Sequence, residues 1–208
     1  MAKTTDVIVV GGGVNGTCIA YHLAQRGASV TLVEKDNIAA GPTGLSCGII
    51  RQHYSHPITA SIALAALRFF ENFEDLVGGD CDFRQTGYIF AAGPDTIDTL
   101  KANVALQQSL GINTSVISVE ELRELVPGAA IDGIVGAAYE PESGYADPYS
   151  TSVAFANRAE ELGAEVLIGT EVRSVIVEGG KARGVVTNQG RLEAASVVLA
   201  TGPWSSRL

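Results

Sequence analysis

The sequence predicts an α/β fold built on a parallel sheet, and three observations near the N-terminus predict it. Val7–Val10 is a continuous run of β-branched residues, as expected of a strand that is buried on both faces. A glycine-rich turn and a helical pattern over Val14–Gln25 follow it directly, and Gly27 ends that helix. Ser29–Val33 then resumes a strand pattern. Strand, turn, helix and strand in this order are typical of a βαβ unit.

The glycines of the first turn fit the G-x-G-x-x-G pattern of dinucleotide-binding proteins. Gly11 permits the tight turn, Gly13 lets the backbone approach a pyrophosphate, and Gly16 lets the helix lie close to the strand. The N–H groups at the start of the helix then point at the phosphates. Glu34 ends the second strand near the spacing, about 20 residues past the glycines, at which a carboxylate accepts hydrogen bonds from ribose hydroxyls. The residues alone therefore predict a site for NAD or FAD and leave both open.

The middle of the chain alternates loops, helices and strands. Residues 37–48 form a loop of small residues, which is expected to expose backbone to a ligand. Apolar residues at helical spacing over 58–77 predict one amphipathic helix that packs on the core and ends at Gly78-Gly79. The further predictions are strands within 83–91 that break near Gly87, a helix over 95–110, a short helix over 120–125 and a strand over 133–140.

The last third of the sequence returns to a sheet. Asp147 with Pro148 is a favourable start for a helix over 150–162. Strands are then predicted over 165–168, 171–177, 182–187 and 196–200. No internal repeat divides the chain, so the middle third is predicted to be an insertion between two parts of one nucleotide-binding sheet.

Composition excludes several classes of function. The 208 residues carry a formal net charge of −9 and their basic residues are scattered, so no nucleic-acid partner is expected. Cys18, Cys47 and Cys81 show neither disulfide nor metal-ligand spacing, and the histidines show none either, so we expect no metal and no disulfide. No apolar run approaches the length of a membrane span, and the N-terminus has no signal-peptide pattern. We therefore expect a cytoplasmic protein without a transmembrane segment.

Three further segments resemble one family of flavoproteins. They are Thr43–Arg51, with the sequence T-G-L-S-C-G-I-I-R, Gly144–Pro148 with the helix and the Gly163-Ala164 that follow, and Val197–Trp204, with the sequence V-V-L-A-T-G-P-W. Together with the βαβ unit they resemble the D-amino-acid oxidase-like (DAO) family of FAD-dependent oxidoreductases over essentially the whole chain. Within this family, which includes glycine oxidase, the I-I-R-Q-H-Y of Ile49–Tyr54 and the R-Q-T-G-Y of Arg84–Tyr88 are most similar to the sarcosine oxidase β subunit.

This resemblance implies FAD as the cofactor and an α/β, Rossmann-like FAD-binding domain of the glutathione-reductase type with an inserted α+β substrate-domain segment. Residues 1–82 and 146–208 are then the two parts of the FAD-binding domain, and residues 83–145 are the substrate-domain segment. The residues that the resemblance assigns to FAD lie in the glycine turn, in the segment that starts at Glu34 and in the last strands. They are Gly11, Gly13, Val14, Asn15, Gly16, Glu34, Lys35, Thr43, Gly44, Ser46, Val172, Ala200, Thr201 and Gly202.

The resemblance also implies oxidation of the C–N bond of a small amino acid or N-methyl amino acid, such as sarcosine, by hydride transfer to flavin. Arg51 matches an arginine near the flavin, and a guanidinium can bind a substrate carboxylate through two hydrogen bonds. His53 and Tyr54 are the other candidate catalytic residues. The alternatives are a structural ion pair for Arg51, a structural histidine at 53 and a packing role for Tyr54. The electron acceptor stays open.

Members of this family are roughly twice as long as this chain, which ends six residues after Gly202. The resemblance therefore implies a fold truncated at its C-terminus, with the missing part supplied by further sequence or by a partner subunit. One alternative function is a non-catalytic FAD-binding or assembly subunit. A less favoured alternative is an NAD-dependent dehydrogenase, which the segments after Glu34 and around Thr201 argue against.

Overall fold

The computed structural model describes residues 4–208 and divides the chain into two compact units. The first unit comprises the residues up to Cys47, Phe73–Asp82 and Asp147–Leu208, and the second comprises Gly48–Asn72 and Phe83–Ala146. The sequence-based division placed all of residues 1–82 in the first domain, and the structure differs for Gly48–Asn72. This segment joins the second unit because Ile49 and Ile50 pair there with a strand.

The described elements follow one another in chain order. They are β1 (Thr4–Val10), α1 (Val14–Gln25), β2 (Val30–Val33), β3 (Ile49–Ile50), α2 (Pro57–Glu71), α3 (Phe73–Val77), β4 (Tyr88–Ala92), α4 (Ile97–Ser109), β5 (Ser115–Ile117), α5 (Val119–Leu125), β6 (Gly136–Glu140), β7 (Gly144–Tyr145), α6 (Pro148–Glu161), β8 (Glu165–Leu167), β9 (Val172–Glu178), β10 (Lys181–Thr187), β11 (Gly190–Leu199) and a 3-10 helix (Gly202–Arg207).

The first unit is built on a six-stranded sheet in the order β8-β2-β1-β11-β10-β9. Strands β8, β2, β1 and β11 are parallel, and β10 and β9 continue the sheet in antiparallel fashion. The expected α/β class is therefore confirmed, since strands from both ends of the chain form one largely parallel sheet. Its core joins Ile8 and Val10 of β1 to Val33, Val185 and Ala194.

Helix α1 has the bounds that the sequence predicts, and it packs against α6 in the first unit. Tyr21 is the largest side chain at this contact; its ring lies 5.5 Å from that of Phe155 and its hydroxyl donates to the carbonyl of Leu76 at 2.7 Å. Helix α6 begins at Pro148, two residues before the predicted start, and Asp147 is its N-cap, whose Oδ1 accepts the N–H of Ser150 at 2.6 Å. Helix α1 also packs against β1 and β2, and α6 packs against β8, so the N-terminus of α1 lies at the carboxyl end of β1.

The second unit contains a three-stranded antiparallel sheet, β4-β6-β5, and the short ribbon β3-β7. The single helix predicted over 58–77 is wrong, because the helix breaks at Asn72, whose Nδ2 donates to the carbonyl of Arg68 at 2.8 Å. The predicted core face is also partly wrong, since Ile58 and Ile62 are 65% and 64% exposed. Ala60 and Leu67 are the buried positions of α2, and their spacing of seven residues selects another face of the same helix.

Among residues 4–208, no helix combines the length and the apolar character that crossing a membrane requires. Within the same range, no group of three or more metal-ligating side chains forms a metal site. Within residues 4–208 no disulfide joins Cys18, Cys47 and Cys81, and burial raises the pKa of the Cys18 thiol.

Candidate functional site

The glycine turn after β1 is packed so closely that two of its glycines have no room for a side chain. Gly11 has φ of +110°, and a Cβ there would lie 2.6 Å from the carbonyl oxygen of Ala200. A Cβ on Gly16 would overlap the carbonyl oxygen of Gly11. The turn therefore lets α1 lie directly against β1 at the edge where β1 and β11 end.

The start of α1 offers backbone N–H groups to an anion. The N-cap residue, Gly13, makes no side-chain capping bond, and the first turn carries no acidic residue. Thr43 Oγ1 accepts the N–H of Val14 at 3.1 Å, and a Cβ on Gly13 would lie 3.0 Å from the same hydroxyl. Because the first N–H groups of a helix have no partner within the helix and lie at its positive end, a phosphate at Gly13 is favourable.

Glu34 lies beside this turn and is held by two main-chain donors. Its Oε2 accepts the N–H of Gly12 at 2.6 Å, and its Oε1 accepts the N–H of Asp36 at 2.9 Å. A carboxylate oxygen can accept more than one hydrogen bond, so both oxygens retain acceptor capacity for the hydroxyls of a ribose. These two hydrogen bonds thus fix the orientation of the carboxylate.

A cavity of about 640 Å³ opens at this edge of the first unit, at the ends of β1, β2 and β11. Most residues that the resemblance assigns to FAD line it, namely Gly11, Gly13, Asn15, Glu34, Lys35, Thr43, Val172, Ala200, Thr201 and Gly202. The structure therefore brings together residues that are more than 180 positions apart in the sequence, as expected where parallel strands end at one edge.

Four of the assigned residues do not line the cavity. Val14 contributes its amide to Thr43, and Gly16 packs against Gly11. The N–H of Gly44 donates to the carbonyl of Ala39 at 3.0 Å, and that of Ser46 donates to the carbonyl of Thr43 at 3.1 Å. Their backbones shape the loop that follows Glu34.

The sequence interpretation missed the loop between β8 and β9, which also lines the cavity. Thr170 donates its N–H to the carbonyl of Glu34 at 2.9 Å, and the following Glu171 and Arg173 line the cavity with it. The sequence could have indicated these residues, because they follow a predicted strand. Neighbouring parallel strands, here β2 and β8, bring the loops that follow them to one edge of the sheet. Arg173 adds positive charge to the cavity lining beside Lys35, which the resemblance had assigned to FAD.

These features fit the ADP part of a dinucleotide. A glycine surface admits a pyrophosphate against the main chain, the N-terminus of α1 supplies N–H donors, and the carboxylate of Glu34 lines the cavity. Trp204, Pro203 and Leu208 give the same cavity an apolar wall.

Arg51 lies in the second unit between two tyrosine rings. Its Nη1 donates to the hydroxyl of Tyr88 at 2.9 Å, and its Cζ lies 5.2 Å from the ring centre of Tyr54 and 5.6 Å from that of Tyr88. The hydrogen bond to Tyr88 is the main reason why the pKa of the guanidinium is raised above its ordinary value. The side chain is half-buried, and the bond to Tyr88 occupies one of its five N–H donors. Arg51 and Tyr54 are thus brought together.

His53 has a different environment from Arg51 and Tyr54. It is 9% exposed, its ring stacks on Phe90 at 4.8 Å, and its Nδ1 faces the buried carboxylate of Glu140 at 3.6 Å. These contacts agree with the alternative of a structural histidine. The sequence interpretation did not identify Glu140, which is 88 residues from Gln52, the residue whose N–H it accepts.

Comparison with known proteins identifies a family. The family model described as DAO, FAD dependent oxidoreductase, matches residues 6–208. The dinucleotide motif left NAD and FAD open, and the FAD dependence of this family decides for FAD.

Individual relatives cover nearly all of this chain, which in turn covers only part of each of them. L-proline dehydrogenase from P. horikoshii is 33% identical with a TM-score of 0.92, over 99% of this chain and 55% of that one. Sarcosine oxidase subunit beta from Arthrobacter sp is 30% identical over 99% of this chain and 53% of its own length. Anaerobic glycerol-3-phosphate dehydrogenase subunit A1 from Haloferax volcanii is 36% identical over 100% of this chain and 38% of its own length.

Proposed function

Because this chain belongs to the DAO family of FAD-dependent oxidoreductases, we propose that the protein oxidises the C–N bond of a small amino acid or N-methyl amino acid. Two relatives are named for such substrates, L-proline and sarcosine. Both compounds carry a carboxylate one carbon away from a secondary amine. The protein therefore needs a cofactor site and a cation that fixes the carboxylate.

The cavity of the first unit is the proposed site for the ADP part of FAD. The turn at Gly11 and Gly13 and the first N–H groups of α1 would hold the pyrophosphate. Glu34 would accept the ribose hydroxyls, and the backbone of Val172 would contact the adenine. When bound, FAD supplies the hydride acceptor for the reaction.

The environment of Arg51 is the observation that most favours an amino-acid substrate. Its guanidinium is fixed between Tyr54 and Tyr88 and keeps donors free of the Tyr88 bond, so it can form two parallel hydrogen bonds with a carboxylate. Fixing the carboxylate restricts the direction of the C–H bond that is oxidised beside the amine nitrogen. Orientation of this kind is the main contribution that a protein makes when the cofactor performs the redox step.

The test uses the full-length natural protein, purified with its flavin. Sarcosine, dimethylglycine, glycine, L-proline, a D-amino acid and glycerol 3-phosphate are each added without oxygen, and the loss of oxidised flavin absorbance is recorded. We expect at least one amino acid to bleach the flavin. The Arg51→Met variant should keep its flavin and lose most of kcat/KM for that amino acid.

Other outcomes identify the rival functions. Bound flavin that no compound bleaches indicates a non-catalytic FAD-binding or assembly subunit. Bleaching by glycerol 3-phosphate alone, the compound for which one relative is named, contradicts an amino-acid substrate. Unchanged kinetics in Arg51→Met would remove Arg51 from the substrate site.

A further inference from the structure

The second unit contains a fully buried carboxylate that the proposed chemistry does not use. Glu140, the last residue of β6, is 0% exposed. Its Oε2 accepts the N–H of Gln52 at 2.9 Å and the hydroxyl of Ser143 at 2.8 Å, and both residues are also fully buried. Its Oε1 faces His53 Nδ1 at 3.6 Å. One carboxylate thus gathers an amide, a hydroxyl and an imidazole in the interior.

A buried carboxylate is energetically unfavourable for a residue that only fills space in the core. Burial of a carboxylate costs several kcal/mol unless charge pairing and hydrogen bonds compensate for the lost water. Among the described residues, three polar groups of this cluster have no partner at hydrogen-bond geometry. They are Oε1 of Glu140, Nδ1 of His53 and the side-chain amide of Gln52. An apolar side chain would fill the space at less cost. A polar cluster of this kind fixes groups in one arrangement.

The group that Glu140 fixes is the main chain next to Arg51. The N–H of Gln52 belongs to the peptide bond that joins it to Arg51, so the carboxylate holds the point from which the Arg51 side chain departs. The other end of the segment is held as well, because Nε2 of the buried Gln107 donates to the carbonyl of Tyr54 at 3.0 Å. Arg51 and Tyr54 are therefore carried on a segment that is anchored at both ends.

We infer that Glu140 is a positioning residue for Arg51, and that it sets the direction in which the guanidinium presents its donors to a substrate carboxylate. The identity of the substrate in this inference rests on the proposed function. The geometry rests on the hydrogen bond between Glu140 and the N–H of Gln52. Tyr88 and Glu140 then act on the same side chain from two sides, one at the guanidinium and the other at the backbone.

The experiment is a double-mutant cycle in the full-length flavin-loaded protein. Glu140→Ala, Arg51→Met and the double variant are compared for the KM and kcat of the amino acid that bleaches the flavin. We expect Glu140→Ala to raise KM about tenfold, because a hydrogen bond to a charged group is lost at the main chain that aims Arg51. The double variant should be no worse than Arg51→Met, since the two changes remove one interaction.

The control is Glu142→Ala, a carboxylate two residues further on that pairs with Arg68 outside this cluster. It should leave KM unchanged, and all single variants should keep their flavin. Unchanged KM in Glu140→Ala, or losses that multiply in the double variant, overturn the inference. If Glu140→Ala does not fold, Glu140→Leu, which removes both carboxylate oxygens while filling much of the same space, takes its place, and unchanged KM in that variant has the same meaning.

A crystal structure of Glu140→Ala, or of Glu140→Leu if only that variant folds, separates this inference from the proposed function, because neither side chain can accept the N–H of Gln52. If the inference is correct, the bond between Arg51 Nη1 and the Tyr88 hydroxyl, 2.9 Å in the unaltered chain, is lost or displaced whatever the substrate is. An unmoved Arg51 and Gln52 backbone would overturn the inference alone. A panel in which no amino acid reacts would overturn the proposed function alone.

Discussion

The α-carbon of Gly16 lies against the carbonyl oxygen of Gly11, with no space between them for a methyl group. This contact sets the distance between α1 and β1, and with it the place of the helix N–H groups over the cavity. Gly16→Ala must push helix and strand apart, and overpacking of this kind costs roughly 1–3 kcal/mol. We expect lower thermal stability and a clear loss of flavin per protein, measured by absorbance after purification.

The matched control for this change is Gly27→Ala, at the end of the same helix. Gly27 has φ of +83° and open space around it, so the substitution costs backbone strain of about 1–2 kcal/mol without any collision at the cavity. Stability should fall while the flavin content is kept. Equal loss of flavin in both variants would show that the contact between Gly16 and Gly11 has no special part in binding.

Glu34 gives a second prediction, about the adenosine end of the cofactor. Glu34→Ala removes the acceptor for two main-chain N–H groups as well as the ribose partner. Because hydrogen bonds to a charged group contribute about 1.5–3 kcal/mol, we expect FAD affinity to fall by roughly 10- to 100-fold, measured by flavin titration of the apoprotein. Asp36→Ala removes a neighbouring carboxylate but keeps the N–H that Glu34 accepts, and its affinity should stay close to that of the unaltered protein.

The first βαβ unit was predictable because its signals are local. Gly13 and Gly27 flank the helical pattern, and α1 has the predicted bounds. The two-residue strands β3 and β7 and the three-residue strand β5 were missed, because strands this short show little periodicity of their own. The equally short β8 lies within the strand predicted over 165–168, directly after the helix and the Gly163 that ends it. The break at Asn72 and the choice of buried face on α2 depend on neighbours that the helical period does not specify.

The difference between local signals and contacts made by the fold also applies to the cofactor cavity and to the cluster around Glu140. Glu34 follows the glycines at a recognisable spacing, whereas Thr170 and Arg173 reach the cavity only because β8 lies beside β2. Glu140 was not identified because its partner, the N–H of Gln52, is a main-chain group that any residue type provides. Contacts of that kind leave no pattern in the sequence.

Tyr88 offers a prediction about the guanidinium itself. Tyr88→Phe keeps the ring beside Arg51 but removes the hydroxyl that accepts from Nη1. The guanidinium of Arg51 keeps its charge but loses the hydrogen bond that fixes its orientation. KM for the amino acid should therefore rise severalfold with little change in flavin content. Tyr149→Phe, at an exposed position in the first turn of α6, is the control. A KM that does not change in Tyr88→Phe would mean that the hydroxyl does not orient Arg51 for its substrate.

Asp147 gives a prediction about stability and pH that is independent of the substrate. The N–H of Ser150 donates to its carboxylate at the start of α6, and this bond lowers the pKa of Asp147 below its ordinary value. A depressed pKa stabilises the folded state above the unfolded pKa, about 3.9, and that contribution is lost as the pH falls through the folded pKa. Asp147→Ala should therefore lower the free energy of unfolding by about 1 kcal/mol at neutral pH.

The measurement is urea unfolding of both proteins from neutral pH into the acid range in which they remain folded. The difference between them should shrink as the pH falls, because the carboxylate that caps α6 becomes protonated. Asp147→Asn keeps an oxygen acceptor without a charge, so it should retain most of the stability and lose the pH dependence that belongs to this residue. A difference between Asp147→Ala and the unaltered protein that stays constant throughout this range would mean that the cap does not act through the charged carboxylate.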